Sequence, residues 1–330
     1  MNEPGVDDLI SGMRVVAIPM RVRFRGVTTR EVALVEGPAG WGEFGPFPEY
    51  APAEASRWLA AAIEAAWHGW PDPVRSTVPV NATVPAVGPE AVGAILERFP
   101  GATTIKVKVA EAGQGLDDDV DRVAAVRDWL GGSGDIRVDA NGGWSVDQAR
   151  AALARLSPFG LDYAEQPCAT VEELAKLRVL LARAGIDVRI AADESIRKAE
   201  DPLRVRDLDA ADVIVVKVAP LGGVRTALRI VQECGLPAVV SSALDTSVGI
   251  SAGVALAAAL PDLEFACGLG TVALLDGDVA ADSMLPVDGS LDVRRVVADP
   301  GLLERFSAPA DRREWWAERV RASAAYRSIS

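Results

Sequence analysis

Two lysines, Lys106 and Lys108, lie two residues apart in the β-branched run 104–109 (TIKVKV). In a β-strand this spacing places both ammonium groups on the same face of the sheet. Mutual repulsion and partial desolvation then both favour the neutral amine, so a lysine here could act as a base near about pH 7. The alternative is an edge strand whose lysines face water, a common protection against aggregation.

Carboxylates and a third lysine follow other strand-like runs farther along the chain. Asp139, Glu165 and Asp193 come at the ends of three consecutive runs. Each alone fits a turn or a helix cap, but their recurrence at successive strand ends indicates one site. Three carboxylates form an oxygen-only ligand set, which favours Mg²⁺ over zinc, with Mn²⁺ as a substitute. Lys217 ends a later run.

This combination suits the removal of a proton from the carbon next to a carboxylate. That carbon acid is very weak, and a metal bound to the developing oxygens could supply several kcal/mol. Lys108 would be the base, with Lys106 and the metal lowering its pKa, and Lys217 would face the opposite side of the substrate. One ammonium group on each face permits elimination or racemisation. A Schiff-base aldolase with Lys217 as nucleophile, and a barrel that binds metal without catalysis, are further alternatives.

The charged-residue composition of the chain limits the classes of partner that it could bind. The 330 residues include 34 Lys+Arg and 47 Asp+Glu, which gives a formal net charge of -13. This balance argues against a nucleic-acid or an anionic-membrane partner. A small anionic carboxylate substrate would need local positive charge, which the lysines and a metal could supply. The oligomeric state stays open.

Cysteine and histidine usage excludes several other kinds of site. Three cysteines, Cys168, Cys234 and Cys267, without a C-x-x-C spacing indicate neither a disulfide framework nor a zinc knuckle. The single histidine, His68, lies in a helical segment and is expected on the helix surface. The acidic residues within 1–11 argue against a secretory signal. We therefore expect a cytoplasmic protein.

The elements that must position these side chains follow a βα repeat from about residue 78 onward. Short apolar strands alternate with amphipathic helices roughly every 26 residues, which predicts an α/β protein with a (β/α)8-type barrel. Active sites of such barrels lie at the carboxyl ends of the strands, so the lysines and carboxylates should converge. The predicted strands are 79–84, 103–109, 136–139, 161–165, 188–192, 213–218, 238–242 and 263–267.

Several barrel helices carry sequence signals at their ends. The segments 145–148 and 170–173 are capping boxes. A glycine and a proline end a helix that is predicted over 224–234. The apolar run 248–260 is too short to span a bilayer and is predicted to be a buried helix.

The opening third does not follow the βα repeat. The runs 13–25 and 29–36 predict an antiparallel hairpin or meander. The segment 41–50 (WGEFGPFPEY) is too rich in glycine and proline for regular structure and predicts an aromatic loop. Helical spacing follows over 53–67. This part of the chain is therefore an α+β unit.

The end of the chain is predicted to return to that unit. A helix over 311–326 is too short to form a core of its own, so it should pack on the N-terminal residues. The predicted domains are an α+β capping domain from 1–77 and 286–330, and a barrel domain over 78–285 that carries the metal ligands and the lysines.

Five short motifs at the strand ends are specific as a set. They are 106–108 (KVK), 138–142 (VDANG), 164–167 (AEQP), 192–195 (ADES) and 216–217 (VK). Together they resemble the muconate-lactonizing-enzyme subgroup of the enolase superfamily, and the resemblance covers nearly the whole chain. It implies a TIM-like (β/α)7β barrel with a capping domain. It further implies the metal ligands Asp139, Glu165 and Asp193, the catalytic lysines Lys106, Lys108 and Lys217, and the supporting residues Asn141 and Glu194.

Two further stretches, 41–50 and 241–249 (SSALDTSVG), resemble the o-succinylbenzoate synthase family within that subgroup. This resemblance implies Mg²⁺-dependent dehydration of 2-succinyl-6-hydroxy-2,4-cyclohexadiene-1-carboxylate in menaquinone synthesis. Lys108 would take the α proton and then help hydroxide to leave from the same face, while Lys217 stabilises the enediolate. An N-acylamino-acid racemase or dipeptide epimerase acting at the same site is the alternative.

The same resemblance implies a set of substrate-binding residues. A serine pair and the loop 268–271 would hold the succinyl tail and its carboxylate. Two aromatic loops of the capping domain would close over the site and exclude water. The residues concerned are Ser241, Ser242, Gly268, Phe24 and Phe47.

Overall fold

A three-stranded antiparallel sheet opens the chain in the computed structural model, which describes residues 4–24, 26–197 and 202–327. Its strands are β1 (Arg14–Phe24), β2 (Val27–Gly37) and β3 (Gly40–Phe44). β1 and β2 form the predicted hairpin. Arg25, in the connection between them, lies outside the described residues.

The third strand corrects the prediction for the segment 41–50. The first residues of this segment form a strand and not an irregular loop, because β3 pairs with β2 and Glu43 lies opposite Leu34. The glycine at 42 serves a close approach, since a Cβ atom there would collide with the carbonyl oxygen of Ala62. Residues 45–50 have the predicted loop form.

Two helices accompany this sheet, α1 (Val6–Gly12) and α2 (Pro52–Ile63). α2 continues into a π-helical turn, Glu64–His68, which ends at Gly69 with a φ of 68°. The predicted helix over 53–67 is therefore confirmed, with a wider last turn. His68 is exposed, as expected.

Seven parallel strands in chain order, β5 to β11, form the central sheet, and the short β4 pairs with β12 outside it. The predicted strands from 103 to 242 are all present, and most are one or two residues shorter than predicted because pairing stops where the catalytic loops begin. The bounds are β4 (Thr77–Pro79), β5 (Ala82–Val84), β6 (Thr104–Lys108), β7 (Asp135–Asp139), β8 (Leu161–Glu165), β9 (Arg189–Ala192), β10 (Val213–Val216), β11 (Ala238–Val240) and β12 (Ser290–Asp292).

A two-residue bridge takes the place of the eighth predicted strand. Cys267 pairs with Val80 and Gly268 pairs with Ser241, both in parallel. The backbone N–H groups of Cys267 and Gly268 donate to carbonyl groups of the two edges, at 2.7 and 2.8 Å. The full strand predicted over 263–267 is wrong, because residues 263–266 form no strand and the pairing in this segment is confined to Cys267 and Gly268. The bridge nevertheless joins the two edges of the sheet and closes the barrel.

Helices alternate with the barrel strands, and none of those in the described parts of the chain is long and apolar enough to cross a lipid bilayer. The longer ones cover the outside of the barrel. Their bounds are α3 (Val92–Leu96), α4 (Leu116–Leu130), α5 (Val146–Leu156), α6 (Val171–Ala184), α7 (Glu194–Arg197), α8 (Arg204–Asp207), α9 (Val218–Leu221), α10 (Val224–Cys234), α11 (Ser247–Ala259), α12 (Pro300–Arg305) and α13 (Ala310–Arg327), with 3₁₀ turns at Pro89–Ala91, Ser157–Phe159 and Thr271–Leu274.

The local helix signals are confirmed. Ser145 and Thr170 are the N-caps of α5 and α6, and each forms the predicted capping box. α10 has the predicted bounds. The apolar run at 248–260 is α11, which is buried along nearly its whole length.

The C-terminal helix packs on the N-terminal sheet. The ring of Trp316 meets that of Phe44 edge to face, with 5.7 Å between the ring centroids. The Arg312 guanidinium lies 2.7 Å from the Glu31 carboxylate, which also accepts a hydrogen bond from the Trp316 indole at 3.0 Å. These contacts agree with the prediction that the C-terminal helix packs on the N-terminal unit. The domain boundaries at 77 and 286 stay a prediction.

Candidate active site at the carboxyl ends of the barrel strands

Lys106 and Lys108 lie on strand β6 of the seven-stranded sheet and are buried. The Lys106 ammonium group is 3.1 and 3.2 Å from the two Glu165 oxygens and 3.5 Å from Asp139 Oδ2. Lys108 donates to the same Asp139 oxygen, and to Asn141 Oδ1 at 2.8 Å. Both ammonium groups therefore share one face, as predicted. The edge-strand alternative is wrong, because β6 lies between β5 and β7.

The three carboxylates occur at neighbouring strand ends. Asp139 and Glu165 are the last residues of β7 and β8, and Asp193 follows the last residue of β9. The parallel register aligns Lys108 with Asp139 and Asp139 with Glu165, so these side chains stand at one level of the barrel. All three carboxylates are at most 1 % exposed. The convergence expected from the barrel pattern is therefore present.

The carboxylates have very different acidities. Burial and the nearby Asp139 raise the pKa of Glu165 to about 7, with Lys106 opposing them. Burial also acts to raise the pKa of Asp139, but Lys108 and Lys106 outweigh it, and the pKa lies well below its ordinary value. The pKa of Asp193 is lowered in the same way, because Lys217 and Arg197 outweigh its burial.

Lys217 approaches the carboxylates from farther round the barrel. It follows β10, is buried, and its ammonium group lies 2.5 Å from Asp193 Oδ2. Burial lowers the pKa of Lys217. The nearby Arg197 also lowers it, whereas Asp193 acts to raise it. The pKa of Lys106 differs from the expectation of a lowered value. Burial acts to lower it, but Glu165 and Asp139 raise it above its ordinary value.

The donor set fits a hard divalent cation. Carboxylate oxygens are the ligands that Mg²⁺ and Mn²⁺ prefer. Burial, together with the charges of Asp139 and Asp193, raises the pKa of Glu165, and a bound cation would offset the repulsion among the three carboxylates. Across the described residues, no group of three or more acidic, histidine or cysteine side chains is already arranged around a metal position. Here the ammonium groups of Lys106, Lys108 and Lys217 contact the carboxylate oxygens instead.

A buried arginine supports Asp193 and was not predicted from the sequence. Arg197 Nε lies 3.1 Å from Asp193 Oδ1, and its Nη2 lies 2.6 Å from Glu194 Oε1. Its third nitrogen donates to the Tyr50 hydroxyl at 2.7 Å, which links the aromatic loop to the barrel. The i,i+4 spacing from Asp193 on a short helix is a signal that could have revealed it. Glu194 also accepts from Asn141 Nδ2 at 3.3 Å.

Gln166 is a second supporting residue that the sequence analysis missed. Its side-chain oxygen accepts from the backbone N–H groups of Asp193 and Ser195, at 3.0 and 3.1 Å. Its backbone is left-handed, with a φ of 38°, and Asn141 after the preceding strand has a φ of 47°. Such conformations are costly for residues other than glycine and concentrate at functional sites.

The lysines open into a cavity that all five predicted substrate-binding residues line. Lys108 also lies 5.3 Å from the centre of the Phe24 ring. The Ser242 hydroxyl donates to the Gly268 carbonyl at 2.9 Å and lies 2.8 Å from the Thr271 hydroxyl. Glu165 and Asp193 lie outside the lining. The lining residues are Phe24, Phe47, Thr83, Lys106, Lys108, Asp139, Lys217, Ser241, Ser242, Ala243, Leu244, Gly268 and Thr271.

Comparison with known proteins decides the family. The sequence models of the families "Enolase N-terminal domain-like" and "Enolase C-terminal domain-like" match residues 15–66 and 91–305. The chain is 59% identical to the o-succinylbenzoate synthase of Mycolicibacterium smegmatis over 318 residues, which cover 96% of each protein. The chain belongs to the o-succinylbenzoate synthase family of the enolase superfamily. The enzyme of that name from Thermobifida fusca is also 59% identical, over 96% of this chain and 97% of its own length.

Solved structures support the fold of this family member. Muconate lactonizing enzyme from Pseudomonas putida superposes with a TM-score of 0.75, at 21% identity, over 90% of this chain and 98% of its own. N-succinyl Arg/Lys racemase from Bacillus cereus gives a TM-score of 0.73 at 18% identity, over 90% of this chain and 97% of its own. The resemblance inferred from the motifs is confirmed. As an o-succinylbenzoate synthase family member, the chain is a metal-dependent enzyme of the lyase class.

Proposed function

We propose that this o-succinylbenzoate synthase family member dehydrates 2-succinyl-6-hydroxy-2,4-cyclohexadiene-1-carboxylate to o-succinylbenzoate, in menaquinone synthesis in the cytoplasm. The observation that carries the proposal is that Lys108 and Lys217 line one cavity together with Asp139. A base, a second cation and an acidic cluster are the groups required to remove a proton next to a carboxylate. The identity of the relatives adds the substrate class.

The metal site of the proposal is formed by Asp139, Glu165 and Asp193. A Mg²⁺ ion bound there, or Mn²⁺ in its place, would stabilise the negative charge that develops on the substrate carboxylate. Gln166 and Arg197 would keep Asp193 in place for this purpose through their hydrogen bonds. Loss of a supporting contact of this kind typically lowers metal affinity or activity by roughly 10- to 100-fold.

The lysines would perform the proton transfers. Neutral Lys108 takes the proton from the carbon next to the carboxylate, and the C–H electrons move into the enediolate. The enediolate then collapses, the ring gains its last double bond, and the C–O bond to the hydroxyl group breaks. Lys108 returns its proton to the departing hydroxide, so water leaves and the neutral amine is restored. Lys217 would remain charged and stabilise the enediolate from another side.

The remaining cavity residues would bind the substrate and exclude water. The Ser242 and Thr271 hydroxyl groups, together with Ser241 and Gly268, would face the succinyl tail and its carboxylate. Phe24 and Phe47 are nearly fully buried and would cover the ring. The chain has more acidic than basic residues, with a formal net charge of -13, which disfavours binding to a nucleic acid.

The lysine roles can be tested by substitution. The aromatisation of the cyclohexadiene carboxylate is followed by ultraviolet absorbance with saturating Mg²⁺. We expect Lys108→Ala to lower the rate by roughly 10²–10⁴ while metal binding, measured by calorimetry, is retained. Lys176→Ala removes an exposed lysine on α6 and is the matched control. Undiminished turnover by the Lys108 variant would refute its role as the base.

Isomerisation of an N-acylamino acid or a dipeptide is the second candidate. It is favoured by the same pair of lysines, because racemisation needs one proton donor and one acceptor on opposite faces. An enantiopure N-succinylamino acid incubated in D₂O would lose its optical activity and gain deuterium. Dehydration without such exchange would exclude this candidate. A Schiff-base aldolase would leave the acidic residues unused, and insensitivity to EDTA with inactivation by borohydride would identify it.

A further inference from the structure

Two loops that line the substrate cavity come from distant parts of the chain and lie outside the named helices and strands. Loop A comprises residues 45–50 and carries Phe47, and loop B comprises residues 241–246 and carries Leu244. Leu244 has a left-handed backbone with a φ of 61°, which is unfavourable for a leucine. A conformation of this kind persists only where the surroundings hold it.

Arg30 contacts both loops. It lies on β2 and is only 2 % exposed. Its Nε donates to the Leu244 carbonyl at 2.9 Å, and its Nη2 donates to the Gly45 carbonyl at 2.5 Å. The guanidinium also stacks on Phe47, 4.8 Å from the ring centroid. One rigid, planar side chain therefore fixes the backbone of both loops and one lining ring.

Glu43, on the adjacent strand β3, holds the end of loop B. Its carboxylate accepts from the Thr246 backbone N–H at 3.1 Å, from the Thr246 hydroxyl at 2.5 Å and from the Gly249 N–H at 3.2 Å. Thr246 is the N-cap of α11. Glu43 thus takes the part that the acidic residue of a capping box plays, but it does so from another region of the chain.

The glycines around these two side chains provide independent support. A Cβ atom at Gly45 would lie 2.7 Å from Arg30 Nη2, and one at Gly249 would lie 3.0 Å from the Glu43 carboxylate. The nearest atoms also include Val32 Cγ1 at 2.8 Å from Gly45 and Asp245 Cβ at 2.7 Å from Gly249, so a larger side chain at either position would have to displace its neighbours. Gly45 in loop A and Gly249 in the first turn of α11 therefore pack closely against Arg30 and Glu43.

We infer that Arg30 and Glu43 are positioning residues that hold loops A and B against the substrate cavity and thereby determine substrate binding. The inference rests on the proposed dehydration, because that reaction supplies the substrate. Arg30 donates to the Gly45 and Leu244 carbonyls, and Glu43 accepts from Thr246 and Gly249, so these hydrogen bonds go to the loops and the first turn of α11 rather than to the lysines or the metal-site carboxylates. The effect should therefore fall on KM more than on kcat.

The first test replaces each arginine of a matched pair by lysine. Arg75 is the control, because it too donates to a backbone carbonyl next to α11, that of Leu260 at 2.7 Å, but neither residue lines the cavity. We expect Arg30→Lys to raise KM for the aromatisation roughly tenfold and to change kcat less than about threefold. Arg75→Lys should leave KM unchanged even where it lowers the unfolding temperature. Equal KM values for both variants would overturn the inference.

The second test uses a matched pair of glutamates. Glu64 lies in the π-helical turn after α2 and caps the distant helix α10, accepting from the Val224 and Arg225 N–H groups at 2.5 and 3.1 Å. Glu43→Ala should raise KM roughly tenfold, whereas Glu64→Ala should not. Glu43→Gln keeps an acceptor oxygen and should restore a KM near that of the unmodified protein. A KM increase of equal size in both alanine variants would indicate a purely structural role.

A third measurement does not depend on turnover. Hydrogen exchange followed by mass spectrometry should show faster exchange in loops A and B for Arg30→Lys, and no change there for Arg75→Lys. Unchanged exchange in both loops would overturn the inference whatever the activity. Faster exchange in a protein that does not aromatise the cyclohexadiene would refute the proposed function and leave the positioning role supported.

Discussion

Replacing Glu43 by glutamine should weaken the pH dependence of stability. Burial and the neighbouring Asp245 raise the pKa of Glu43 from 4.5 to about 8, while Arg30 and the hydrogen bonds from Thr246 and Gly249 oppose them. The folded protein therefore holds a proton on Glu43 at pH values where the unfolded chain has lost it. Stability must then fall as the pH rises from the unfolded pKa to the folded one.

The size of this effect follows from the two pKa values. One unit of difference corresponds to about 1.4 kcal/mol, so the free energy of unfolding should fall by about 3 kcal/mol between about pH 5 and pH 8 from this group alone. For a chain of 330 residues that equals roughly 4 to 5 °C in the unfolding temperature. The Glu43→Gln variant cannot ionise at this position. Its plot of unfolding temperature against pH should therefore lack this decrease.

The assay is thermal unfolding of both proteins from pH 5 to 8 at one fixed Mg²⁺ concentration, so that the difference between them isolates Glu43. Glu36→Gln removes an exposed carboxylate from the same sheet and is the control for the loss of a charge. Parallel curves for the unmodified protein and Glu43→Gln would refute the reasoning, because Glu43 would then be ionised in the folded state.

Three further substitutions test the site and the fold. Glu165→Gln should weaken divalent-metal binding by at least about tenfold in calorimetry, and unchanged affinity would remove Glu165 from the ligand set. Arg197→Met leaves buried carboxylates without their guanidinium and should lower the free energy of unfolding by about 3 kcal/mol in urea, whereas the exposed Arg155→Met should change it by less than about 0.5 kcal/mol. Gly42→Ala should cost about 2 kcal/mol because its Cβ collides with backbone, and Gly132→Ala, with no atom within 4 Å, should not.

The arrangement of the site could be predicted because it depends on short-range patterns. Alternate side chains of a β-strand point to the same face, which places Lys106 and Lys108 together. The carboxyl ends of parallel barrel strands all lie at one end of the barrel, which brings Asp139 and Glu165 together. The structure has both features. The predicted lining residues also share one cavity, although their roles stay predictions. The closing bridge at Cys267 was predicted as a full strand because an apolar run carries no information on where pairing stops.

The supporting contacts could not be predicted because they join distant segments. Glu43 and Thr246 are separated by 203 residues, and Arg30 and Leu244 by 214 residues. A single sequence contains no signal that pairs such positions. The pKa of Lys106 was misjudged for a similar reason. Within one strand Lys106 has only Lys108 as a charged neighbour, but the carboxylates at the ends of the next two strands outweigh burial and raise its pKa.

Metal-dependent aromatisation of the cyclohexadiene carboxylate tests the central proposal most directly. The purified protein is treated with EDTA, mixed with the substrate, and followed by ultraviolet absorbance before and after Mg²⁺ is restored. We predict no aromatisation above the uncatalysed rate without metal, and rapid aromatisation once Mg²⁺ is present. A folded, metal-loaded protein that fails to aromatise this substrate, or one that is equally fast in EDTA, would contradict the account.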